Sequence, residues 1–203
     1  MTYEIAKRVL DLLVSLTAAA ASLPLLIVIV VWIRLTSPGP AIFRQERAGK
    51  NGTPFTLLKF RTMRTDADPF GPSPKSGRDL RLTGVGKFLR EWSLDELPQL
   101  FNILCGQMSL VGPRPLYLSQ MAEWDSTQRR RLEVKPGLTG LAQICGRAEL
   151  TIENKLALDV EYVDKRSFGL DLRIVWMTLG QLIGRRNIYE KRYSTKQATR
   201  NEG

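Results

Sequence analysis

Residues Leu12 to Ile33 carry no charged side chain. As a helix these 22 residues would span roughly 33 Å at 1.5 Å each, enough to cross the hydrocarbon core of a bilayer. So long an apolar stretch must end in a protein core or in lipid. It is too long for a signal peptide and lacks a small-residue cleavage site after it, so it reads as a retained membrane helix. Pro24 lies near its middle, in Ala21-Ser22-Leu23-Pro24-Leu25. A proline there removes one helical hydrogen bond and bends the helix. Basic residues flank both ends, Lys7 and Arg8 before and Arg34, Arg44, Arg47 and Lys50 after. Cytoplasmic flanks are the ones that carry Lys and Arg. A straight span puts one basic flank outside, whereas a helix broken at Pro24 that enters and leaves by one face keeps both inside. The residues themselves leave both arrangements open.

The rest of the chain must work without histidine, since its 203 residues include none. That excludes Ser-His-Asp and Cys-His nucleophile pairs and His-metal sites. Acid–base or nucleophilic work falls to Asp, Glu, Lys, Tyr or Cys. A catalytic metal would be hard and oxygen-ligated, most simply Mg²⁺. The net charge of +10 points to phosphates, nucleic acid or an anionic membrane surface as partners. Cys105 and Cys145 sit in apolar contexts and read as small buried hydrophobes rather than a disulfide pair.

The stretch Arg90-Glu91-Trp92-Ser93-Leu94-Asp95-Glu96-Leu97-Pro98-Gln99-Leu100 holds two adjacent carboxylates before a helical pattern. With Asp95 as N-cap, Pro98 falls at the third helical position, where no donor is needed. Leu97, Leu100, Phe101 and Leu104 recur at helical spacing, and Cys105-Gly106 stops the helix. The carboxylates would then lie at the positive end of a helix dipole, which favours their ionised form and attracts anions. Taken alone, Asp95 reads more simply as a cap and Glu96 as a first-turn acid than as catalytic groups.

Around that stretch, Ala41 to Arg47 and Pro54 to Phe60 read as two strands, with Gly49-Lys50-Asn51-Gly52 as their hairpin turn. A basic segment, Lys59 to Arg64, leaves the hairpin. Asp66 to Asp79 is a proline- and glycine-rich loop of the kind used as a lid or binding loop. Thr83 caps a helix that turns Val85, Phe88, Leu89 and Trp92 inward. Met108 to Val111 is a short strand ending in Gly112-Pro113-Arg114-Pro115, where two prolines fix the backbone around one arginine. Such an arginine suits a phosphate, or is an incidental exposed residue of a rigid turn. Leu116 to Leu132 reads as helical in two pieces, ending in a solvated or headgroup-facing run, Arg129-Arg130-Arg131. Leu138 to Ile144 is a candidate strand, with Arg147 just beyond its end. Thr151 caps a helix to about Lys165, and Asp171 caps the next, Leu172 to Gly184. The latter is deeply buried or lies at a membrane interface, where Trp176 suits. The basic tail from Arg185 reads as disordered.

These motifs form an ordered set: Lys-Phe-Arg-Thr-Met, Ser-Leu-Asp-Glu-Leu-Pro-Gln-Leu, Val-Gly-Pro-Arg-Pro and Lys-Pro-Gly-Leu-Thr-Gly-Leu-Ala-Gln, behind an N-terminal apolar helix. Each is weak alone. Together, from about Lys7 to Leu182, they resemble the small monotopic bacterial phosphoglycosyl transferases of the bacterial sugar transferase family. The resemblance implies an α/β, helix-rich monotopic membrane protein. Residues 1–36 would be a re-entrant helix broken at Pro24, residues 37–184 a catalytic domain on the cytoplasmic face of the bacterial inner membrane, and residues 185–203 the tail. It implies transfer of a sugar 1-phosphate from a UDP-sugar to a polyprenol phosphate such as undecaprenyl phosphate, giving polyprenol-diphospho-sugar and UMP at the start of glycan or glycoconjugate assembly. Nucleic acid drops out as a partner, and membrane lipids stay in. A homodimer is allowed but not required.

Residue by residue, Asp95 matches the family nucleophile and Mg²⁺ contact, and Glu96 its dyad partner. Lys59, Arg90, Arg114 and Arg147 match positions that bind the nucleotide-sugar or its phosphates. Two rival readings stand beside this one: a membrane-anchored adaptor without catalysis, and a single-step transfer in which Asp95 only holds Mg²⁺.

Overall fold

The structure is a computed structural model and describes residues 2–68, 71, 74, 76–146 and 150–184. The basic tail and Arg147 lie outside the described residues, as does part of the 66–79 loop.

Helix α1 (Thr2–Thr36) contains the whole apolar run and continues across Pro24. It is followed by β1 (Ile42–Ala48) and β2 (Pro54–Phe60), an antiparallel hairpin in register from Ile42↔Phe60 to Ala48↔Pro54. The turn works because Asn51 (φ 55°) and Gly52 (φ 75°) adopt the left-handed conformation, open chiefly to Gly and Asn. Helix α2 (Gly84–Glu91) is capped by Thr83, whose hydroxyl accepts from Gly86 N–H at 2.9 Å. Helix α3 (Gln99–Leu104) ends at Gly106, φ 80°. Then come β3 (Ser109–Val111), α4 (Ser126–Arg129), β4 (Gly137–Thr139), α5 (Leu141–Cys145), α6 (Ile152–Lys165) and α7 (Phe168–Gly184), with 3-10 turns between them. β3 and β4 pair in parallel, Ser109↔Gly137 and Val111↔Thr139.

Several expectations are corrected. The strand predicted over Leu138–Ile144 stops at Thr139, and the chain becomes α5. Continuing the register would set Leu141 against Pro113, which has no N–H to donate. Leu118–Glu123 is a 3-10 stretch, so the expected helical segment is only short pieces. Asp171 does not cap α7. Ser167 accepts from Leu170 N–H at 3.3 Å, while Asp171, a turn further in, receives Tyr162 Oη (2.7 Å), Lys7 Nζ (2.7 Å) and Tyr3 Oη (2.9 Å). Cys105 and Cys145 are free and exposed rather than buried, because each stands at a helix end where a glycine turns the chain outward. Phe88 and Trp92, expected inward, are exposed, and so is Phe101 on the helical pattern after the dyad. Trp32 packs on Phe88 with ring centroids 5.5 Å apart, and Phe88 on Trp92 at 6.1 Å. On α7, Trp176 is 76 % exposed and Leu172 72 %, which suits the interfacial option for that helix.

One stripe of α1 is buried: Asp11, Ser15, Ala19, Leu26, Ile29 and Ile33. Their spacings of three, four and seven keep one helical face against the domain. Leu26, Ile29 and Ile33 pack with Ala41, Phe60, Val85 and Leu89, and Ala19 packs with Phe55, Leu57, Leu100, Ile103 and Met108. A third core, Val111, Val134, Ile144, Tyr162, Val163 and Ile174, joins β3, α5, α6 and α7. Polar anchors hold the start of α1. Arg8 donates to Ile103 O (2.7 Å) and Leu104 O (3.0 Å), satisfying the last carbonyls of α3. Asp11 accepts from Leu110 N–H at 3.0 Å.

The Arg129-Arg130-Arg131 run is not uniformly solvated. Arg131 is buried and meets Asp159 of α6 at 2.7 Å, their side chains 2 % and 3 % exposed, and it also donates to Arg114 O. Removing one partner of such a pair leaves a buried charge uncompensated. Asp159→Ala should lower unfolding stability by about 3–5 kcal/mol, read as a fall in the thermal midpoint by circular dichroism.

Candidate active site

The two carboxylates are presented by a tight turn. Ser93 takes the left-handed conformation (φ 55°) after α2, and Leu94–Glu96 forms a 3-10 turn. Glu96 N–H bonds to Ser93 O (3.3 Å) and Leu97 N–H to Leu94 O (3.2 Å). Pro98 then stands at the N-cap position of α3. This corrects the expected geometry: Asp95 is no N-cap, and Pro98 precedes the helix instead of occupying its third position. Pro98 fits because its φ of −61° is the one its ring imposes. The carboxylates owe their setting to burial and neighbouring cations more than to a helix end.

Those cations come from distant parts of the chain. Lys59 of β2 reaches Glu96 Oε1 at 2.9 Å, and Arg114 after β3 reaches the same oxygen at 2.7 Å. Asp95 is buried, 6 % exposed, and both of these ion pairs go to its neighbour. Burial pushes the Asp95 carboxyl up to about 6, aided by the Glu96 charge and opposed by Lys59, Arg90 and Arg114. For Glu96, burial raises the pKa, but Arg114 and Lys59 outweigh it and hold the group well below the usual carboxylate range. Burial also lowers Lys59, against the attraction of Glu96. Two adjacent acids thus differ sharply: one stays ionised and spoken for, the other is held within reach of neutral pH.

Supporting contacts fix this arrangement. Asn102 of α3 accepts from Leu58 N–H (3.0 Å) and donates to Thr56 O (2.7 Å), tying the helix after the dyad to the strand that carries Lys59. Arg114 follows a strand crossing with no room for side chains: a Cβ on Gly112 would stand 2.5 Å from Lys135 O. Gly112 N–H bonds to Thr139 O and Gly137 N–H to Pro113 O, each at 2.9 Å, and Arg131 clasps the Arg114 carbonyl from behind.

Of the residues singled out from sequence, Asp95, Glu96, Lys59 and Arg114 come together directly, and Arg90 stands close enough for its charge to act on Asp95. Pro24 lies inside α1, between Ala19 and Leu26, whose core clusters include Leu97 next to the dyad. Sequence reading took Arg47 only as part of a basic flank of the apolar helix and passed over Asn102. Arg47 stacks on the Tyr117 ring, 3.6 Å from its centroid, donates to Gln45 Oε1 at 2.5 Å, and is repelled by Arg114. The signal for it was present: in the hairpin register Arg47 and the cross-strand partner of Lys59, Phe43, are four apart and share one face.

Among the described residues no three metal-ligating side chains gather. Asp95 nonetheless offers a hard oxygen donor beside a cluster of phosphate-seeking cations. That fits Mg²⁺, which usually takes one or two carboxylates and completes its shell with substrate phosphates and water.

A long apolar helix laid along a small α/β domain, with a buried Asp95 beside a Glu96 paired to two cations, suits a membrane-associated protein. The chain belongs to the bacterial sugar transferase family, whose model matches residues 2–185. It is 41 % identical over 193 residues to EpsL of Bacillus subtilis (strain 168), described as an uncharacterized sugar transferase, covering 95 % of each chain. It is 40 % identical over 198 residues to a UDP-glucose:undecaprenyl-phosphate glucose-1-phosphate transferase of Caulobacter vibrioides, covering 92 % of this chain and 73 % of that one. A protein of the same description from Escherichia coli (strain K12) is 39 % identical over 181 residues, 85 % of this chain but 39 % of the longer relative.

The Asp95 shift has a consequence for stability. A carboxyl whose folded pKa lies above its unfolded value makes the fold less stable as pH rises from about 4 to about 6. Without divalent cations, Asp95→Asn should therefore be more stable than wild type above pH 6 by about 2–3 kcal/mol, and the gap should close below about pH 4. Chemical denaturation across pH checks this. Added Mg²⁺ should raise the wild-type midpoint and shift Asp95→Asn less.

Proposed function

We propose that the protein transfers a sugar 1-phosphate from a UDP-sugar to a polyprenol phosphate, undecaprenyl phosphate being the form named for its relatives, and releases UMP. The observation that carries the reading is the division of labour in the dyad: Glu96 is occupied by Lys59 and Arg114, and Asp95, buried beside it, is not paired with either.

An Asp95 oxygen attacks the β-phosphorus of the UDP-sugar. The bond from that phosphorus to the bridging oxygen breaks, and UMP leaves with the electron pair. The phosphosugar now on Asp95 is attacked by a phosphate oxygen of the polyprenol phosphate. The acyl-phosphate bond breaks, returning the Asp95 carboxylate and giving polyprenol-diphospho-sugar. Both nucleophiles are anions, so neither step needs a general base. That agrees with a chain without histidine. A pKa of about 6 keeps Asp95 largely ionised at neutral pH while making it a better nucleophile than an ordinary carboxylate. Glu96 keeps its charge and serves as the anchor that holds Lys59 and Arg114 where the diphosphate arrives. Arg114 is half-exposed and able to turn toward a phosphate oxygen. Arg90, and Arg147 by its motif, complete the proposed binding set. Mg²⁺ held by Asp95 would neutralise the diphosphate and polarise the phosphorus under attack.

The same reading assigns residues 1–36 to a re-entrant membrane element and 37–184 to a catalytic domain on the cytoplasmic face. In support, α1 is anchored to the domain near both ends, by Arg8 and Asp11 at one and by Ile29 and Ile33 at the other. A helix crossing to the far side would have to part from the domain along half its length. Entering and leaving by one face, with the bend at Pro24, avoids that and keeps the basic flanks on one side. A polyprenol phosphate then meets the enzyme by diffusion in the membrane plane.

UMP release by the detergent-solubilised full chain with Mg²⁺, over a panel of UDP-sugars with and without undecaprenyl phosphate, tests the chemistry. Turnover should require the lipid, and lipid-free protein should gain a phosphosugar's mass that Asp95→Asn does not. Turnover with no adduct and no UMP before lipid is added supports single-step transfer instead. No turnover with any sugar, from folded protein, supports the adaptor reading. For topology, single cysteines at Thr2 and Ser37, in a Cys105→Ser, Cys145→Ser background, should react with an impermeant maleimide from the same side of inverted membranes. Labelling from opposite sides sinks the re-entrant arrangement.

A further inference from the structure

Helix α2 lies between the second half of α1 and the dyad. Its Val85 and Leu89 pack with Leu26, Ile29 and Ile33 of α1, and Leu94 and Leu97, on either side of Asp95 and Glu96, pack on the same cluster. Three aromatic rings run over this junction. The Trp32 ring of α1 is 5.5 Å from that of Phe88 between centroids, and Phe88 is 6.1 Å from Trp92, the C-cap of α2. All three side chains are exposed.

The two ends of this row differ in setting. At one end Trp32 stands among Val28, Val31 and Leu35, exposed apolar side chains a turn or less away on α1. That is the side of α1 suited to lipid. At the other end Trp92 comes three residues before Asp95, where Lys59 and Arg114 converge on Glu96 and the Arg90 charge acts on Asp95. Apolar surface at one end thus passes into a cationic site at the other, over rings that water solvates poorly.

We propose that the row Trp32, Phe88 and Trp92 carries the first isoprene units of the polyprenol phosphate from the bilayer to the dyad. The inference rests on the transferase reading and adds to it the place where the acceptor's chain lies. The match is to a ligand with an anion at one end and a hydrocarbon chain at the other: phosphate to the cations around Asp95, chain to the rings. Such a ligand must draw part of its chain out of lipid to bring its phosphate to a buried carboxylate. Each isoprene unit that leaves the bilayer then needs apolar cover. Large rings give that cover at little cost in side-chain freedom. Continuity with the exposed apolar side of α1 favours the acceptor's chain over the nucleobase of the donor.

The test uses the full chain in phosphatidylcholine nanodiscs, titrated with undecaprenyl phosphate at saturating UDP-sugar, with UMP release as the readout. Phe88→Ala and Trp92→Ala should each raise the KM for the lipid about tenfold, as for losing one apolar ring contact. Contacts made equally before and during the reaction leave kcat nearly unchanged. Trp92→Phe should recover most of the loss. The KM for UDP-sugar and the lipid-free phosphosugar adduct should match wild type, which separates a lost chain contact from a lost fold. Trp176→Ala should also match wild type, since α7 packs on Val111, Ile144 and Tyr162 and not on the dyad. Binding is read separately with no donor present: undecaprenyl phosphate should change the tryptophan fluorescence of wild type, and change it less in Trp92→Phe. That change without UMP from any sugar sinks the transferase reading and keeps the row as a prenyl site. UMP release with an unaltered lipid KM in both alanine variants sinks the row and keeps the transferase reading. A raised KM for UDP-sugar assigns the rings to the nucleobase, and an equal rise for the lipid in Trp176→Ala assigns them to general contact with the bilayer. Either result overturns the inference.

Discussion

Helix α1 has two apolar sides with different partners, and most of the architecture depends on that. The stripe from Asp11 to Ile33 is covered by the domain, whereas Leu13, Leu16, Val28 and Leu35 are left exposed by it. Water is a poor solvent for the second side, which suits a membrane-associated protein. The exposed aromatics of α2 and the apolar side chains of α7 are other surfaces of this kind. The polar anchors at the start of α1 explain why it stays with the domain. Arg8 closes the open carbonyls of α3, and Asp11 supplies the acceptor that Leu110 at the edge of β3 needs. Both would be expensive to leave unmet in a setting with little water.

The dyad shows how neighbours in sequence acquire different chemistry. Two adjacent carboxylates in one buried turn repel each other, and the structure resolves this by giving both cations to Glu96. Asp95 then bears most of the burial cost and is pushed toward neutral pH. Neither residue type nor spacing specifies that split. It depends on β2 and the loop after β3 converging on one oxygen atom, and on Asn102 and Arg131 holding those segments still.

Much of this is legible in the chain itself. The long apolar helix, the hairpin with its Asn-Gly turn, the Thr83 and Thr151 caps and the stop at Gly106 are local matters, decided by side chains within a few residues of one another. The ordered motifs are enough for the family, and they pick out Lys59, Arg114, Asp95 and Glu96 as a group without any knowledge of their contacts. The misjudged features are non-local. Arg131 reads as one more solvated cation until Asp159, on another helix, neutralises it. Asp171 reads as a cap until Tyr162, Lys7 and Tyr3 converge on it. Phe88 and Trp92 have helical spacing but lie exposed, because periodicity marks an apolar face without saying whether protein or lipid covers it.

The sequence by itself determined that a long uncharged helix must be shielded from water, that any catalysis must manage without imidazole, and that a carboxylate pair and a few cations are the candidate site. These rest on composition and short-range geometry, which the chain carries everywhere along its length. Only the tertiary structure decided which carboxylate keeps the cations, which arginine is buried, and which stripe of α1 the domain claims. Each of these depends on groups far apart in the chain meeting at hydrogen-bond distance, and such meetings arise from packing alone.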